Sequence, residues 1–287
     1  MELSKNNKKP REKTGPNIIV FLVEGDSDRI ALDTPLSELI FNKHPDYEVR
    51  FLQQERLVNN KHEEVDDPEE DDDIDDTEEY QTGGDITSSS YVTPQNIETK
   101  IYRRFILPAI KREGIYPKRI AKVIQIVDLD GVYLHDDSVL PFSKENETRE
   151  KTFYDGQTGI IQCADVNMIR ERNANKRANL DYLISLPDGK IKLGSKSIPF
   201  EIYFFSSNLD HYLYNEANMN SGKKRQADNF LRTIGLDSEA FSKFFLEDPS
   251  AIGHLGYKES WDMIRQESTS VMRHTNIDYL ILQLASE

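Results

Sequence analysis

The chain has 287 residues, 37% of them hydrophobic and 30% charged, with a net charge of −15. No apolar run approaches the roughly 20 residues of a membrane-spanning helix, and the basic opening MELSKNNKKPREKTG lacks the apolar stretch of a secretory signal. A single cysteine, Cys163, excludes a disulfide scaffold and a cysteine-based zinc site, so a reducing, cytoplasmic setting is expected.

Residues 1–16 read as a flexible basic tail. Ile18 to Val23 (IIVFLV) is apolar at every position and predicts a strand buried on both faces. Asp26 or Ser27 can cap the helix that follows, which runs to Asn42 with Ile30, Leu32, Leu36, Leu39 and Ile40 inward. Tyr47 to Leu52 predicts a second strand. Residues 54–94 then read as an acidic low-complexity insertion. Thirteen acids and no base lie between Glu63 and Glu79, so the rest of the chain is nearly neutral. Such a block repels itself and buries nothing, which predicts a disordered loop over 63–90. Residues 95–113 predict one amphipathic helix ended by Gly114. Val123 to Val127 predicts another buried strand, ending in Asp128-Leu129-Asp130-Gly131. Cys163 to Leu186 reads as helical, with Cys163 a small packed residue. Pro199 to Phe205 reads as an aromatic-rich strand, and residues 206–287 as a mainly helical part packed on the core.

This order predicts an α/β fold: a parallel, Rossmann-like sheet with right-handed crossovers and helices on its faces, over residues 17–205. Ligands of such sheets sit outside the carboxyl ends of the strands. Glu24-Gly25 and Asp128-x-Asp130 both fall there. In an extended Asp-x-Asp the two side chains point the same way. With Glu24 they predict three hard oxygen ligands for Mg²⁺ or Mn²⁺.

The apolar strand ending in Glu24-Gly25, a helix, and a later apolar strand ending in Asp128-x-Asp130 together resemble the Toprim domain. That fold is shared by topoisomerases, DnaG-type primases, OLD-family nucleases, RecR-type repair proteins and small RNA-maturation nucleases. The resemblance covers residues 17–135 and implies a divalent metal on Glu24, Asp128 and Asp130. It also implies phosphodiester chemistry on DNA or RNA, with those three residues as the catalytic set. The insertion makes the Glu24–Asp128 separation longer than a minimal Toprim core needs, which loop-closure entropy tolerates. The segment YFFSSNLDHYLYN also resembles stand-alone Toprim-like proteins of bacterial defence loci, of the RloB and abortive-infection type, which implies a role in phage defence.

A competing resemblance is to haloacid-dehalogenase-type phosphatases. There Asp128 would be the nucleophile and Asp130 the general acid, with Ser206 or Ser207 and Lys223 or Lys224 in supporting roles. An acidic pair ending a later strand is missing, and Glu24-Gly25 is left unexplained. A non-catalytic interaction protein with structural carboxylates is the third reading. Gly189-x4-Gly194 is followed by Ser195 rather than Lys, so no P-loop is present and an NTP-driven step would need a partner ATPase. His211 reads as a structural residue in the first turn of a helix.

Nucleic acid needs cations to offset the acidic site. Three groups qualify: residues 100–122; Arg170, Arg172, Lys176 and Arg177; and Lys223, Lys224 and Arg225. Each is either a solvated face or a phosphate-positioning set. Lys223, Lys224 and Arg225 are the expected nucleic-acid contacts, carried to the carboxylates by the C-terminal part.

Overall fold

The first apolar run forms strand β1 (Asn17–Val23), in which Ile18 to Val23 are all buried. A strand is apolar at every position only when both faces of its sheet are covered. Ile18, Val20 and Leu22 enter one core layer, and Ile19, Phe21 and Val23 the other. The computed structural model describes residues 17–57, 80–219, 221–234, 237–266 and 269–286. The acidic block at 63–79 and the tail at 1–16 lie outside them.

Helix α1 (Asp26–Lys43) follows and lays Ala31, Leu32, Leu36 and Ile40 on the second layer. Strand β2 (Tyr47–Gln53) returns parallel to β1. A short antiparallel pair, β3 (Glu55–Leu57) and β4 (Tyr80–Thr82), brackets the undescribed residues between them. Helix α2 (Ile97–Ile101) passes through a π turn (Tyr102–Ile106) into helix α3 (Leu107–Glu113). The single helix expected over 95–113 is therefore interrupted. Pro108 has no N–H for the carbonyl four residues back and its ring crowds it, so the backbone widens there. Gly114 closes the helix at φ 66°.

Strand β5 (Ile120–Asp128) comes next. A small satellite sheet follows, made of β6 (Val139–Pro141), β7 (Phe153–Asp155) and β8 (Ile160–Cys163) in the order β6-β8-β7. Cys163 is thus the end of a strand. Helix α4 (Val166–Ile184) begins only after Asp165, whose side chain caps it by accepting from the Met168 amide at 2.9 Å. Strands β9 (Lys190–Leu193) and β10 (Lys196–Phe205) complete the main sheet. Its order is β2-β1-β5-β10-β9, parallel except for β9.

The remaining helices are α5 (Leu209–Tyr214), α6 (Lys223–Ile234), α7 (Ser238–Leu246), α8 (Tyr257–Ile264) and α9 (Ile277–Ser286). Tyr212, Phe230, Phe241, Phe245 and Leu280 join the layer of α1, whereas Trp261 and Ile264 of α8 join the opposite one. Thr275 and Asn276 tie this part to β10. The Thr275 hydroxyl donates to the Phe204 carbonyl at 2.6 Å, and the Phe204 amide donates to Asn276 Oδ1 at 2.9 Å.

Residues 80–94 do not behave as a disordered loop. Ile86, Thr87 and Val92 are buried, and the Gly84 amide donates to the Glu24 carbonyl at 2.7 Å. Their few apolar residues are spaced among Thr, Ser and Gly, so composition hides the packing.

The chain leaves β1 for β2 on one side, then crosses back to place β5 on the other. The strand order reverses between β1 and β5, and such a reversal is where open α/β sheets hold their ligands. Among the described residues, no helix is long and apolar enough to cross a membrane.

Candidate functional site at the carboxyl edge of the sheet

Glu24 leaves the end of β1 and Asp128 the end of β5, on either side of the switch point. They are joined: Glu24 Oε1 accepts from the Asp128 amide at 3.0 Å. Asp128 Oδ1 in turn accepts from the Leu209 amide, at the start of α5, at 2.9 Å. Asp28, in the first turn of α1, folds back onto the Gly25 amide at 2.9 Å. These bonds hold the acids at the carboxyl ends of β1 and β5.

Asp130 is placed differently from the expectation of an extended Asp-x-Asp. Strand β5 stops at Asp128, and Asp130 has φ 52° and Gly131 φ 70°, both left-handed. The Asp130 amide donates to the Ser207 carbonyl at 2.9 Å, and the chain turns at once, with the Val132 amide donating to the Leu129 carbonyl at 3.0 Å. Gly131 is required there, since a Cβ would stand 2.6 Å from Val271 Cγ1. The Asp130 carboxylate therefore faces α4, where Lys176 Nζ pairs with it at 3.1 Å.

Lys176 is fully buried and bridges Asp130 to Asp85, at 2.8 Å. Asp85 also caps the turn Ile86–Ser88 by accepting from the Thr87 amide at 2.8 Å. Helix α4 turns a polar, buried face to this edge. Asn175 donates to the Ser89 carbonyl at 2.7 Å, and Asn179 to the Thr87 and Val92 carbonyls at 2.9 Å each. On its other flank Arg172 donates to the Asp130 carbonyl at 3.2 Å, and Arg177 to the Val132 and Leu134 carbonyls at 2.9 and 3.1 Å. Arg170 donates to the Asp136 carbonyl at 2.9 Å. The second basic group is thus neither a solvated face nor a set of phosphate contacts. It clamps the two loops that carry Asp85 and Asp130.

From the opposite side α6 brings Lys223, which pairs with the buried Asp210 at 2.6 Å, and Lys224, which pairs with Asp26. Arg225 follows on the same helix and is exposed. Trp261 is core, and Arg265 pairs with Asp181 at 2.9 Å.

The acids interact electrostatically. Burial and then the charge of Asp85 push Glu24 well above the usual carboxylate range, with Asp128 and Asp130 adding to it against Lys176. Burial, then Asp28 and Asp130, push Asp128 up as well. Burial raises Asp28 to about 6. Asp130 goes the other way: burial would raise it, but Lys176 and Arg172 hold it below its ordinary value. Lys176 is likewise desolvated, yet Asp85, Asp130 and Glu24 keep its proton bound more tightly than in water.

Glu24, Asp128 and Asp130 thus share one neighbourhood, but their oxygens are engaged by three different partners. Among the described residues, no three His, Cys, Asp or Glu side chains stand close enough to hold a metal ion as they are. The donor chemistry still suits one, because hard carboxylate oxygens are what Mg²⁺ and Mn²⁺ take.

No motif picks out Asp85, Lys176 or Arg172. Lys176 leaves a readable trace: it lies in helical register with the buried Ile169, Asn173, Leu180 and Leu183, where a lysine must have a partner. Asp85 leaves none, since its role depends on a loop whose course the sequence does not reveal.

No family model matches the chain, and no curated protein or solved structure matches it.

Proposed function

We propose that the carboxyl edge between β1 and β5 is a Toprim-like centre for metal-dependent phosphodiester hydrolysis of DNA or RNA. One observation carries the reading. At the switch point the carboxylates of Glu24, Asp28, Asp85, Asp128, Asp130 and Asp210 outnumber the cations facing them, Lys176, Arg172 and Lys223. Buried carboxylates in such excess must take up protons or a further cation. Glu24 and Asp128, both raised well above the ordinary range, would hold it with Asp130. A bound Mg²⁺ or Mn²⁺ supplies charge neutralisation and an activated water.

The chain's own residues do the rest. Glu24 Oε1 is held by the Asp128 amide, which leaves Oε2 to keep or hand on a proton. Lys176 and Arg172 fix Asp130 and the turn beneath it. Lys223 and Lys224, now paired with Asp210 and Asp26, stand where a phosphate backbone would approach. The resemblance to stand-alone defence proteins extends the proposal to phage defence, with any NTP-driven step supplied by a partner ATPase.

The test is incubation of the full chain with end-labelled single- and double-stranded DNA and RNA, with Mn²⁺, with Mg²⁺ and with a chelator. The reading expects cleavage that needs the metal and is lost in Glu24→Gln and Asp128→Asn. Cleavage that survives both variants, or none on any substrate, overturns it. Turnover of small phosphomonoesters alone would favour the phosphatase reading.

A further inference from the structure

A cleft of about 590 Å³ opens beside the carboxylate edge, lined among others by Phe153, Tyr154, Gln157, His211, Ala217 and Arg273. Its walls are the β7–β8 hairpin, helix α5 with the loop after it, and the segment at 272–273. Two of these walls are linked to the carboxylate edge through one intervening residue each. The Tyr154 hydroxyl accepts from Arg172 at 3.3 Å, and Arg172 also donates to the Asp130 carbonyl at 3.2 Å. His211 lies two residues after Leu209, whose amide holds Asp128.

We infer that this cleft receives the base and sugar of one unpaired nucleotide whose phosphate lies on the carboxylate edge. The inference rests on the reading of that edge as a phosphodiester-cleaving centre and narrows its substrate to an unstacked nucleotide.

The charge pattern argues for a base and sugar rather than a phosphate. Arg273 faces the cleft but its guanidinium is already engaged, by Asp248, by the Ser250 hydroxyl at 2.8 Å and by the Tyr212 carbonyl at 2.8 Å. His211 is neutral at physiological pH, because burial and then Arg273 lower its pKa to about 4. Its Nδ1 is buried and makes no hydrogen bond. Asp155 turns its carboxylate onto the Gln157 and Thr158 amides at 2.9 and 3.2 Å. What remains are the rings of Phe153 and Tyr154, an imidazole, the side-chain amides of Gln157 and Asn215 and the Met272 thioether. These suit stacking on a base and hydrogen bonds to its edge, and among the described lining residues they leave phosphate no unpaired cation. The volume is within the range of small-molecule sites, about 300–1,000 Å³. A base stacked inside a duplex cannot enter a cleft walled on three sides; it must first leave the stack. Single strands, frayed ends and loops meet that condition at lower cost.

The experiment uses the full chain in chelator with adenosine, a nucleoside with no phosphate, and follows its binding by saturation-transfer NMR. Ala217→Phe fills the cleft from the loop after α5, and Gln157→Trp fills it from the exposed hairpin turn should the first variant lose its fold. The expected result is saturation transfer to adenosine in the wild-type chain and at least about tenfold weaker binding in a folded filled variant, within the range of one base–aromatic stack. No transfer in the wild-type chain, or undiminished binding in a folded filled variant, overturns the inference. Failure of the parent reading shows elsewhere, as absence of metal-dependent cleavage, and leaves the adenosine result standing.

Discussion

Helices α4 and α6 bring lysines to the same group of carboxylates from opposite sides, and they do so in different ways. Lys176 of α4 is fully buried, held at 2.8 and 3.1 Å by two acids on two loops. Its neighbours Arg170, Arg172 and Arg177 are turned onto backbone carbonyls of the same region. Lys223 of α6 has a side chain 46% exposed and touches Asp210 from the solvent side. A buried ammonium in a closed network cannot leave without stranding its partners. A half-exposed one has three donors and can add a phosphate oxygen while it keeps Asp210. The difference assigns α4 to building the edge and α6 to meeting what binds there.

The sharpest way to break this comparison is to remove each ammonium. Lys176→Met should lose about 3–5 kcal/mol of stability, the cost of leaving buried charge uncompensated. Lys223→Met should lose less, about 1–3 kcal/mol, because solvent reaches its ammonium although the buried Asp210 is left without its partner. Urea denaturation of the two variants measures both. Similar losses would end the distinction between platform and contact.

The acids should divide in the same way. Asp128→Asn keeps an acceptor for the Leu209 amide and removes a charge that burial and its neighbours disfavour. In chelator near neutral pH it should therefore raise stability, by about 1 kcal/mol for each unit of pKa elevation relieved. Asp130→Asn should lower it, since that charge is held by Lys176 and Arg172. Thermal melts settle the signs.

The pH dependence follows from the same division. Glu24, Asp28 and Asp128 have folded pKa values above their unfolded ones. Across the interval between the two, the folded chain binds more protons than the unfolded. Stability from these groups is present in acid and lost as pH rises through their folded values. Asp130, depressed, contributes above its unfolded pKa and loses that contribution as pH falls through its folded one. The metal-free chain should thus gain stability on mild acidification from neutral toward about pH 5, and Asp128→Asn should flatten that gain. A flat wild-type profile would remove the electrostatic excess on which the site rests.

The smallest effect concerns α6 alone. Charge reversal of Lys223 and Lys224 should weaken nucleic-acid binding and lower the magnitude of its salt slope by about one for each phosphate that the helix no longer neutralises. The chain should stay folded, with a melting temperature lowered by the new charge beside the buried Asp210. An unchanged slope would leave α6 as packing and make Lys223 a mere counter-charge of Asp210.

Much of this edge is legible in the sequence because burial on both faces writes an apolar run. Ile18–Val23 and Val123–Val127 show where two parallel strands end, and so where Glu24 and Asp128 stand. The rest is not written locally. The left-handed turn at Asp130 depends on Gly131 fitting against Val271, which lies far along the chain. The clamp of α4 looks from its charges like a solvated or phosphate-binding face. Only the position of Lys176 among buried residues betrays it. Asp85 sits in a stretch whose composition signals disorder, yet it is fixed by Thr87 and Lys176. Composition reports what a segment can bury on average, whereas a single buried pair is set by the course of two distant segments.

Binding of a divalent cation by Glu24 and Asp128 at the β1–β5 edge is the property on which the proposed chemistry depends. Isothermal titration of Mn²⁺ into the full chain, against Glu24→Gln and Asp128→Asn under identical conditions, tests it most directly. The wild-type chain is expected to show a saturable high-affinity phase that is absent from both variants, while weak binding to the remaining acids is unchanged. Superimposable titrations of all three chains would contradict it.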